Sequence, residues 1–153
     1  MGFDACGVSP VTGLPELSFL RLWLDRGYAG DMRYLDSTAE LRADARGALP
    51  SAQSVIVTAT VYNSAQPYSL ECADATRAHV ARYAWGDDYH PLITSRLDRL
   101  IGWMHREWPE NFEACPYVDT GPLQERVYAR HAGIGWAGKN TCIIHPTLGS
   151  WFF

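Results

Sequence analysis

The sequence has little positive charge, no long hydrophobic run and no leader peptide pattern. Its 153 residues contain 13 Lys and Arg against 17 Asp and Glu, a net charge of -4. A dedicated nucleic-acid binder normally has a clustered basic surface, so this balance excludes a protein that binds polyanions by charge alone. No segment reaches the ~18 apolar residues of a membrane span, and residues 1–6 lack the basic and apolar regions of a signal peptide. We expect a soluble, cytoplasmic protein without membrane contact.

Cysteine is also sparse, and the four cysteines are far apart in the chain: Cys6, Cys72, Cys115 and Cys142. This spacing contains no C-x-x-C pair, so it excludes a zinc or iron–sulfur site built on paired cysteines. Reduced, mostly buried thiols are expected. The length and the 47% apolar content suit one domain, residues 1–153. Because residues 149–153 read as a buried strand that has barely begun, we expect a partial domain from a longer protein.

The patterns of apolar residues predict helices and strands in a layered arrangement. Residues 54–61 are β-branched and nearly unbroken, as in a central strand buried on both faces. Further strands are predicted at 79–83, 112–118, 142–145 and from 151 onward, and helices at 15–28, 31–35, 38–47, 89–107 and 122–132. The capping-box pattern of Ser37 and Glu40 supports the third of these helices. The result is an α/β or α+β domain, a mixed sheet flanked by helices.

Residues 133–140, GIGWAGKN, match two phosphate-binding patterns at once. A phosphate loop requires a strand before it and a helix after it. Here the predicted helix 122–132 precedes the loop and a β-rich run follows it. Gly133 is therefore interpreted as a helix stop, and the later glycines as a turn that lets the backbone approach a flat ligand closely. Lys139, Asn140 and Thr141 could contact such a ligand.

Three stretches in this order resemble the epoxyqueuosine reductases: 82–90 (RYAWGDDYH), 118–126 (VDTGPLQER) and 132–141 (AGIGWAGKNT) running on to 149–152 (GSWF). Residues 2–8 (GFDACGV), and Arg42 to Asp44 leading to the strand at residue 54, support the likeness. The resemblance covers almost the whole chain and concerns the N-terminal, cobalamin-binding half of that family.

The resemblance implies an oxidoreductase that reduces epoxyqueuosine to queuosine in tRNA, the last step of queuosine biosynthesis. Its fold would be nitroreductase-like and similar to that of reductive dehalogenases. Cobalamin would be bound base-off, and two 4Fe-4S clusters would lie in a downstream ferredoxin-like region. The four cysteines here cannot hold those clusters. This chain alone is therefore expected to be inactive, while the complete protein would be a monomer served by an unidentified electron donor.

By the same resemblance, Asp119 is the acid that protonates the substrate oxygen. A carboxyl group can do this near neutral pH only if an apolar surrounding, such as a corrin face, keeps it protonated. From its position alone, Asp119 could equally be a carboxylate stabilised near a helix N-terminus.

The residues implied to surround the cofactor or substrate are Arg42, Arg82, Tyr89, His90, Arg126, Lys139, Asn140, Ile143 and His145. Each has a structural alternative. The two arginines 42 and 126 could simply be solvated on helices, and Tyr89 and His90 could lie on a surface turn that enters a helix. His145 could be a turn residue before Pro146. A protein ligand to the metal is not expected, because the family leaves the lower face of the cofactor open.

Two other functions remain open at the level of sequence. A corrinoid reductive dehalogenase relative would use a comparable cofactor, but a secretion signal and a tyrosine acid are expected there. A non-catalytic corrinoid-binding or corrinoid-handling module is the second alternative. The stretch VDTGP, which carries Asp119, favours the tRNA enzyme over the dehalogenase, while the non-catalytic module stays open.

Overall fold

The computed structural model describes residues 1–68 and 70–153 in full and residue 69 by its backbone only. The strands are β1 (Ala5–Pro10), β2 (Ser54–Ala59), β3 (Trp136–Ala137) and β4 (Ile143–Ile144). The α-helices are α1 (Phe19–Asp25), α2 (Arg33–Ser37), α3 (Ala39–Arg42), α4 (Tyr89–Glu107) and α5 (Glu125–His131). Short 3-10 turns span Pro15–Ser18, Ala45–Gly47, Ser69–Glu71 and Arg82–Ala84.

Strands β1 and β2 form an antiparallel pair in which Ala5 lies opposite Ala59 and Pro10 opposite Ser54. The pairing is continued at the chain end, where Val61 and Phe152 form an antiparallel bridge. Thr60 and Phe153 exchange both backbone hydrogen bonds at 3.1 and 2.9 Å. Of the strand predicted from residue 151 onward, the structure has one bridge at Phe152. Phe153 is thereby brought beside the end of β2.

Helix α5 packs on this sheet and joins the two parts of the core. Tyr128, 1% exposed, packs with Val11, Leu14, Leu17 and Ala45. Its hydroxyl accepts a hydrogen bond of 3.2 Å from the Ala45 backbone, which satisfies the polar end of a buried ring. On the next part of the helix, Ala129 packs with Ala59, Ile134 and Ile143.

Helix α4 has the bounds that the spacing of its apolar residues predicts. It begins after Asp88, whose carboxylate accepts a hydrogen bond of 2.9 Å from the backbone N–H of His90 and caps the first turn. Ile93 is its buried residue, while Leu92 is 52% exposed. The helix ends just before Trp108. Trp108 precedes Pro109, and helical dihedral angles are disfavoured for a residue that precedes proline.

Several local predictions are wrong. Residues 79–83 and 112–118 do not form strands: a 3-10 turn starts at Arg82, and the second segment is irregular. The helix predicted at 38–47 is broken, because the side chain of Asp44 accepts a hydrogen bond from the backbone of Arg46. Ser37 lies inside α2 and bonds to the Tyr34 carbonyl, so it caps nothing.

The predicted class, helices layered on strands, is confirmed, but the arrangement of strands differs from the prediction. Both strand pairs are antiparallel, so the mixed sheet is wrong for these strands. Strand β2 is also not buried on both faces, since Ile56 is 39% exposed. All four cysteines are free, but they are exposed rather than buried.

Candidate active site

Asp119 occupies a tight turn between the irregular segment and α5. Its φ of 58° lies in the left-handed region, which side chains other than glycine rarely adopt. The backbone N–H of Thr120 donates to the Val118 carbonyl at 2.5 Å, so Asp119 is the centre of a three-residue γ-turn. Such strained backbone persists only where neighbours hold it, and it concentrates at functional sites. The exposed carboxylate is thus presented on a turn and not at the end of a strand.

Tyr89, the first residue of α4, holds this carboxylate. Its hydroxyl donates to Oδ2 of Asp119 at 2.8 Å. The ring stacks on Phe153 at a centroid distance of 3.9 Å and on His90 at 4.3 Å. Burial and the hydrogen bond to Asp119 raise the pKa of Tyr89 to about 12. The phenol therefore remains a donor at any physiological pH, and the stacking fixes its direction.

Glu125, the first residue of α5, holds the same turn from the other side. Its Oε1 accepts a hydrogen bond of 3.0 Å from the Asp119 backbone N–H. More than a third of the residue is exposed, but its carboxyl group is partly shielded from solvent by neighbouring protein atoms. Desolvation, together with the charge of Asp119, raises the pKa of Glu125, and the bond from Asp119 with the charges of Arg42 and Arg126 counteracts the rise. Sequence reasoning did not select Glu125, although it is the glutamate of the stretch VDTGPLQER.

A cleft of about 470 Å³ opens beside Tyr89. Its walls are largely flat aromatic rings, and its polar groups lie near the start of α4. The main contributors are Tyr62, Tyr83, Trp85, Asp88, Tyr89 and Phe153. Because Tyr89 both lines the cleft and binds Asp119, the carboxylate lies at the rim.

Arg82 also lines the cleft, but its donors are directed at the neighbouring loop. Nη1 donates to the Ser64 carbonyl at 2.6 Å, and Nη2 donates to the carbonyls of Gln66 and Pro67 at 3.1 Å each. The guanidinium lies 4.8 Å from the ring centre of Trp85 and is only 9% exposed. Arg82 therefore shapes the cleft by ordering residues 64–67, and contact with a cofactor stays a prediction.

Arg42 and Arg126 both act near Glu125. Arg42 donates to the Leu123 carbonyl at 3.0 Å and thus supports the chain just before α5. Arg126 donates to the hydroxyl of Thr141 and connects α5 to the glycine loop. Both charges favour ionised Glu125.

The glycine loop is a helix stop followed by a β-hairpin. Gly133, at φ 77°, ends α5: its N–H donates to Arg130 at 3.1 Å, and the N–H of Ile134 donates to Ala129 at 3.0 Å. This is a Schellman motif, so the predicted helix stop is confirmed. A Cβ on Gly135 would overlap the Ile144 carbonyl. The close approach here is therefore to the protein's own backbone.

The hairpin places two predicted site residues, Lys139 and Asn140, at its turn and a third, Ile143, on β4. Lys139 and Asn140 are exposed, and Asn140 Oδ1 accepts a bond of 3.2 Å from the Cys142 backbone. Ile143 is 6% exposed in the core, so only its backbone could reach a ligand. His145 accepts bonds from the backbone N–H groups of Thr147 and Leu148, as expected of a turn residue.

His90 differs from these because one of its ring nitrogens lacks a partner. Nδ1 lies 2.7 Å from the capping carboxylate of Asp88. Nε2 is buried and makes no hydrogen bond in the described structure. His90 is not among the residues that line the cleft, so contact of its ring with a cofactor stays a prediction.

Elsewhere, a second cavity of about 500 Å³ lies against α4 near Met1, Arg99 and Trp103. It contains none of the predicted site residues, and we do not assign it to the chemistry. Within the described residues, no His, Cys, Asp and Glu side chains gather in groups of three that could hold a metal ion. No described helix is long and apolar enough to cross a membrane.

Comparison with known proteins places this geometry in a family. Residues 42–120 match the family model of epoxyqueuosine reductase QueG, DUF1730. An epoxyqueuosine reductase of Gloeobacter violaceus is 41% identical over 155 residues, which cover 100% of this chain and 46% of the relative. That of Synechocystis sp. is 39% identical over 96% of this chain and 50% of the relative. The chain thus spans about half the length of the curated relatives it matches.

Solved structures agree with the sequence relatives. Epoxyqueuosine reductase from Streptococcus thermophilus superposes with a TM-score of 0.81 at 29% identity, covering 99% of this chain and 40% of that chain. A crystal structure of epoxyqueuosine reductase with an epoxyqueuosine-modified stem loop of tyrosine tRNA gives 0.75 at 29% identity and the same coverage. The enzyme from Bacillus subtilis, with its catalytic aspartate loop swung out of the active site, gives 0.71 at 26%, again with the same coverage.

Proposed function

The chain belongs to the epoxyqueuosine reductase family, and on this premise we propose that it is the N-terminal, cobalamin-binding part of a cytoplasmic enzyme that reduces epoxyqueuosine to queuosine in tRNA. Such a chain is one domain of a longer protein, whose 4Fe-4S region follows downstream. The observation that supports the proposal best is Asp119, held on a strained turn by Tyr89 at the rim of an aromatic cleft. The tRNA substrate is supported by the relative seen with an epoxyqueuosine-modified stem loop.

Conversion of the epoxide to an alkene and water consumes two electrons and two protons. We assign one proton to Asp119, which would donate it to the substrate oxygen as the carbon–oxygen bond breaks. The carboxyl group is exposed in this chain, so bound cofactor and substrate must supply the apolar surrounding that keeps the proton in place. The Tyr89 hydroxyl directs Oδ2, and the γ-turn fixes the backbone from which the group projects.

The residues around the cleft fit cobalamin. A planar macrocycle suits the flat rings of Tyr62, Tyr83 and Tyr89, which line the cleft. Lys139, Asn140 and the backbone of Ile143 would receive the side-chain amides, with Arg126 behind them. When bound, the cofactor supplies a reducible cobalt centre for the two-electron chemistry. The cleft of about 470 Å³ matches a drug-sized ligand, so it would hold one part of this larger group.

Substitution of the acid tests the proposal. In the complete protein, we expect Asp119→Asn to lower turnover of epoxyqueuosine in tRNA by roughly 10²- to 10⁴-fold, because general acid catalysis contributes about that factor. Asp98→Asn, on the exposed far part of α4, is the matched control and should react as the wild type does.

The measurement has two parts, cobalamin absorbance and single-turnover conversion of modified tRNA. Asp119→Asn should retain the absorbance of bound cofactor while conversion is lost. Turnover within a few fold of the wild type would remove Asp119 from the mechanism. Absence of any conversion by the wild-type protein, loaded with cofactor and reduced, would reject the proposed function itself.

A further inference from the structure

The turn that carries Asp119 is held from outside by two side chains, and they act on different parts of the residue. Tyr89 binds the carboxylate at 2.8 Å, whereas Glu125 binds the backbone N–H at 3.0 Å. A carboxylate that accepts a hydrogen bond from a backbone N–H forms one of the stronger bonds in proteins. Glu125 therefore fixes the orientation of the peptide plane before Asp119, which Tyr89 cannot do.

The backbone at Asp119 needs such a restraint. At φ 58° a residue with a side chain stores strain, and rotation of the preceding peptide would relieve it. Rotation would also carry the carboxylate away from the Tyr89 hydroxyl. The bond to Glu125 opposes this rotation and so favours the conformation that the turn has here. The Bacillus subtilis relative, with its catalytic aspartate loop swung out, shows that such a loop can leave the active site.

Both arginines near Glu125 support this arrangement. The charges of Arg42 and Arg126 favour the ionised carboxylate, and Arg42 also anchors the chain before α5 through the Leu123 carbonyl. Glu125 begins α5, whose next turn contains the core residue Tyr128. The acceptor is thus mounted on an element that cannot move with the turn.

We propose that Glu125 is a positioning residue that holds Asp119 in its reactive place through the backbone N–H. The inference rests on the proposed function for its chemical meaning. The backbone N–H of Asp119 requires an acceptor oxygen at the end of a side chain as long as glutamate. The negative charge of that side chain is of secondary importance. Glutamine satisfies this demand and aspartate does not, since its side chain is shorter by one methylene.

Three substitutions of Glu125 in the complete protein distinguish the effect of side-chain length from the effect of its negative charge. Glu125→Ala and Glu125→Asp should each lower kcat for epoxide reduction roughly 10- to 100-fold, as expected when a backbone N–H loses its acceptor. Glu125→Gln should stay within about threefold of the wild type. KM for the modified tRNA should change little in all three, and Glu110→Ala, at an exposed glutamate, should be unchanged. An electrostatic role alone predicts the reverse order, with aspartate active and glutamine impaired, and that order would overturn the inference.

A spectroscopic measurement decides the same point without turnover. Protein labelled with 3-fluorotyrosine gives a ¹⁹F resonance for position 89, assigned by its absence in Tyr89→Phe. We expect this resonance to move in Glu125→Asp toward its position in Asp119→Asn, where the tyrosine has lost its carboxylate partner, and to stay in place in Glu125→Gln. An unmoved resonance in Glu125→Asp would reject the inference even if the enzyme reduces epoxyqueuosine. A moved resonance in an enzyme that fails to reduce it would retain the inference and reject the proposed function.

Discussion

Arg82 lines the cleft, but its hydrogen bonds stabilise a neighbouring loop of the protein. Three of its hydrogen bonds are accepted by backbone carbonyls of one loop, those of Ser64, Gln66 and Pro67. Aromatic rings of Tyr68 and Trp85 lie 4.8 Å from the guanidinium. A buried guanidinium with these partners stabilises the loop, because each bond to a charged donor contributes more than a neutral one.

We predict that Arg82→Met lowers the free energy of unfolding of the purified chain by roughly 2–3 kcal/mol. Arg82→Lys should recover only part of this, since an ammonium lacks the planar fork that reaches several carbonyls. Urea denaturation followed by tryptophan fluorescence measures the effect, and Arg77→Met, at an exposed arginine, is the control. An unchanged unfolding free energy together with lost cobalamin binding would instead make Arg82 a cofactor ligand.

The family resemblance selected both Asp119 and Tyr89 but did not select Glu125, which binds the backbone of Asp119. Asp119 and Tyr89 lie in two of the stretches that carry the family resemblance, and the structure joins them by a hydrogen bond. Glu125 escaped selection because its contact is with a backbone N–H, and a contact of this kind leaves no pattern in side-chain chemistry. The γ-turn at Asp119 was equally hidden, since no glycine or asparagine marks its positive φ.

At the scale of elements, prediction succeeded where the signals are local. Helix α4 has its cap, its apolar spacing and its terminating proline within one stretch, and its bounds are as predicted. Gly133 ends α5 for the same kind of reason. The segment 112–118 was wrongly assigned to a strand because β-forming residues need a neighbouring strand, and the described chain offers none there.

The cap of α4 gives a prediction about pH. The backbone N–H of His90 and then its side chain hold the pKa of Asp88 below the ordinary value of 3.8. A lowered folded-state pKa means that the cap contributes full stability above pH ~3.8 and loses it as the pH falls through the folded-state pKa. We therefore expect Asp88→Ala to have a Tm a few degrees below that of the wild type at pH 7, with the difference vanishing in acid.

Thermal unfolding of the purified chain by circular dichroism, from pH 7 down to pH 2.5, measures this difference. Asp88→Asn is the matched control, because asparagine caps a helix without ionising. Its Tm should show no loss of the cap over the acidic range. A wild-type and Asp88→Ala pair that stays equally far apart at every pH would contradict the assignment of the cap to the ionised carboxylate.

At the scale of the whole molecule, the chain spans 46% of the Gloeobacter violaceus relative and exposes several large apolar side chains. Leu92, Tyr83 and Trp85 are 52%, 52% and 43% exposed, and all three line the cleft. Local sequence could indicate that these residues belong to a pocket, but their partners lie outside this chain under the proposed function. Under the proposed function the cleft is one side of the cofactor site, and this side alone should still bind a planar ligand, though more weakly.

We predict that the purified chain binds cob(II)alamin in the base-off form, because aromatic rings stacked on the corrin would displace the cofactor's own lower base. Absorbance spectroscopy measures the base-off change. Tyr89→Phe should bind as the wild type does, since it keeps the stacked ring, whereas Tyr89→Ala should weaken binding up to about tenfold. Tyr28→Ala, at a tyrosine outside the cleft, should change nothing. A chain that is folded by circular dichroism and leaves the base-on spectrum unchanged would overturn the cofactor assignment, and the hairpin turn at Lys139 would then lose its proposed ligand as well.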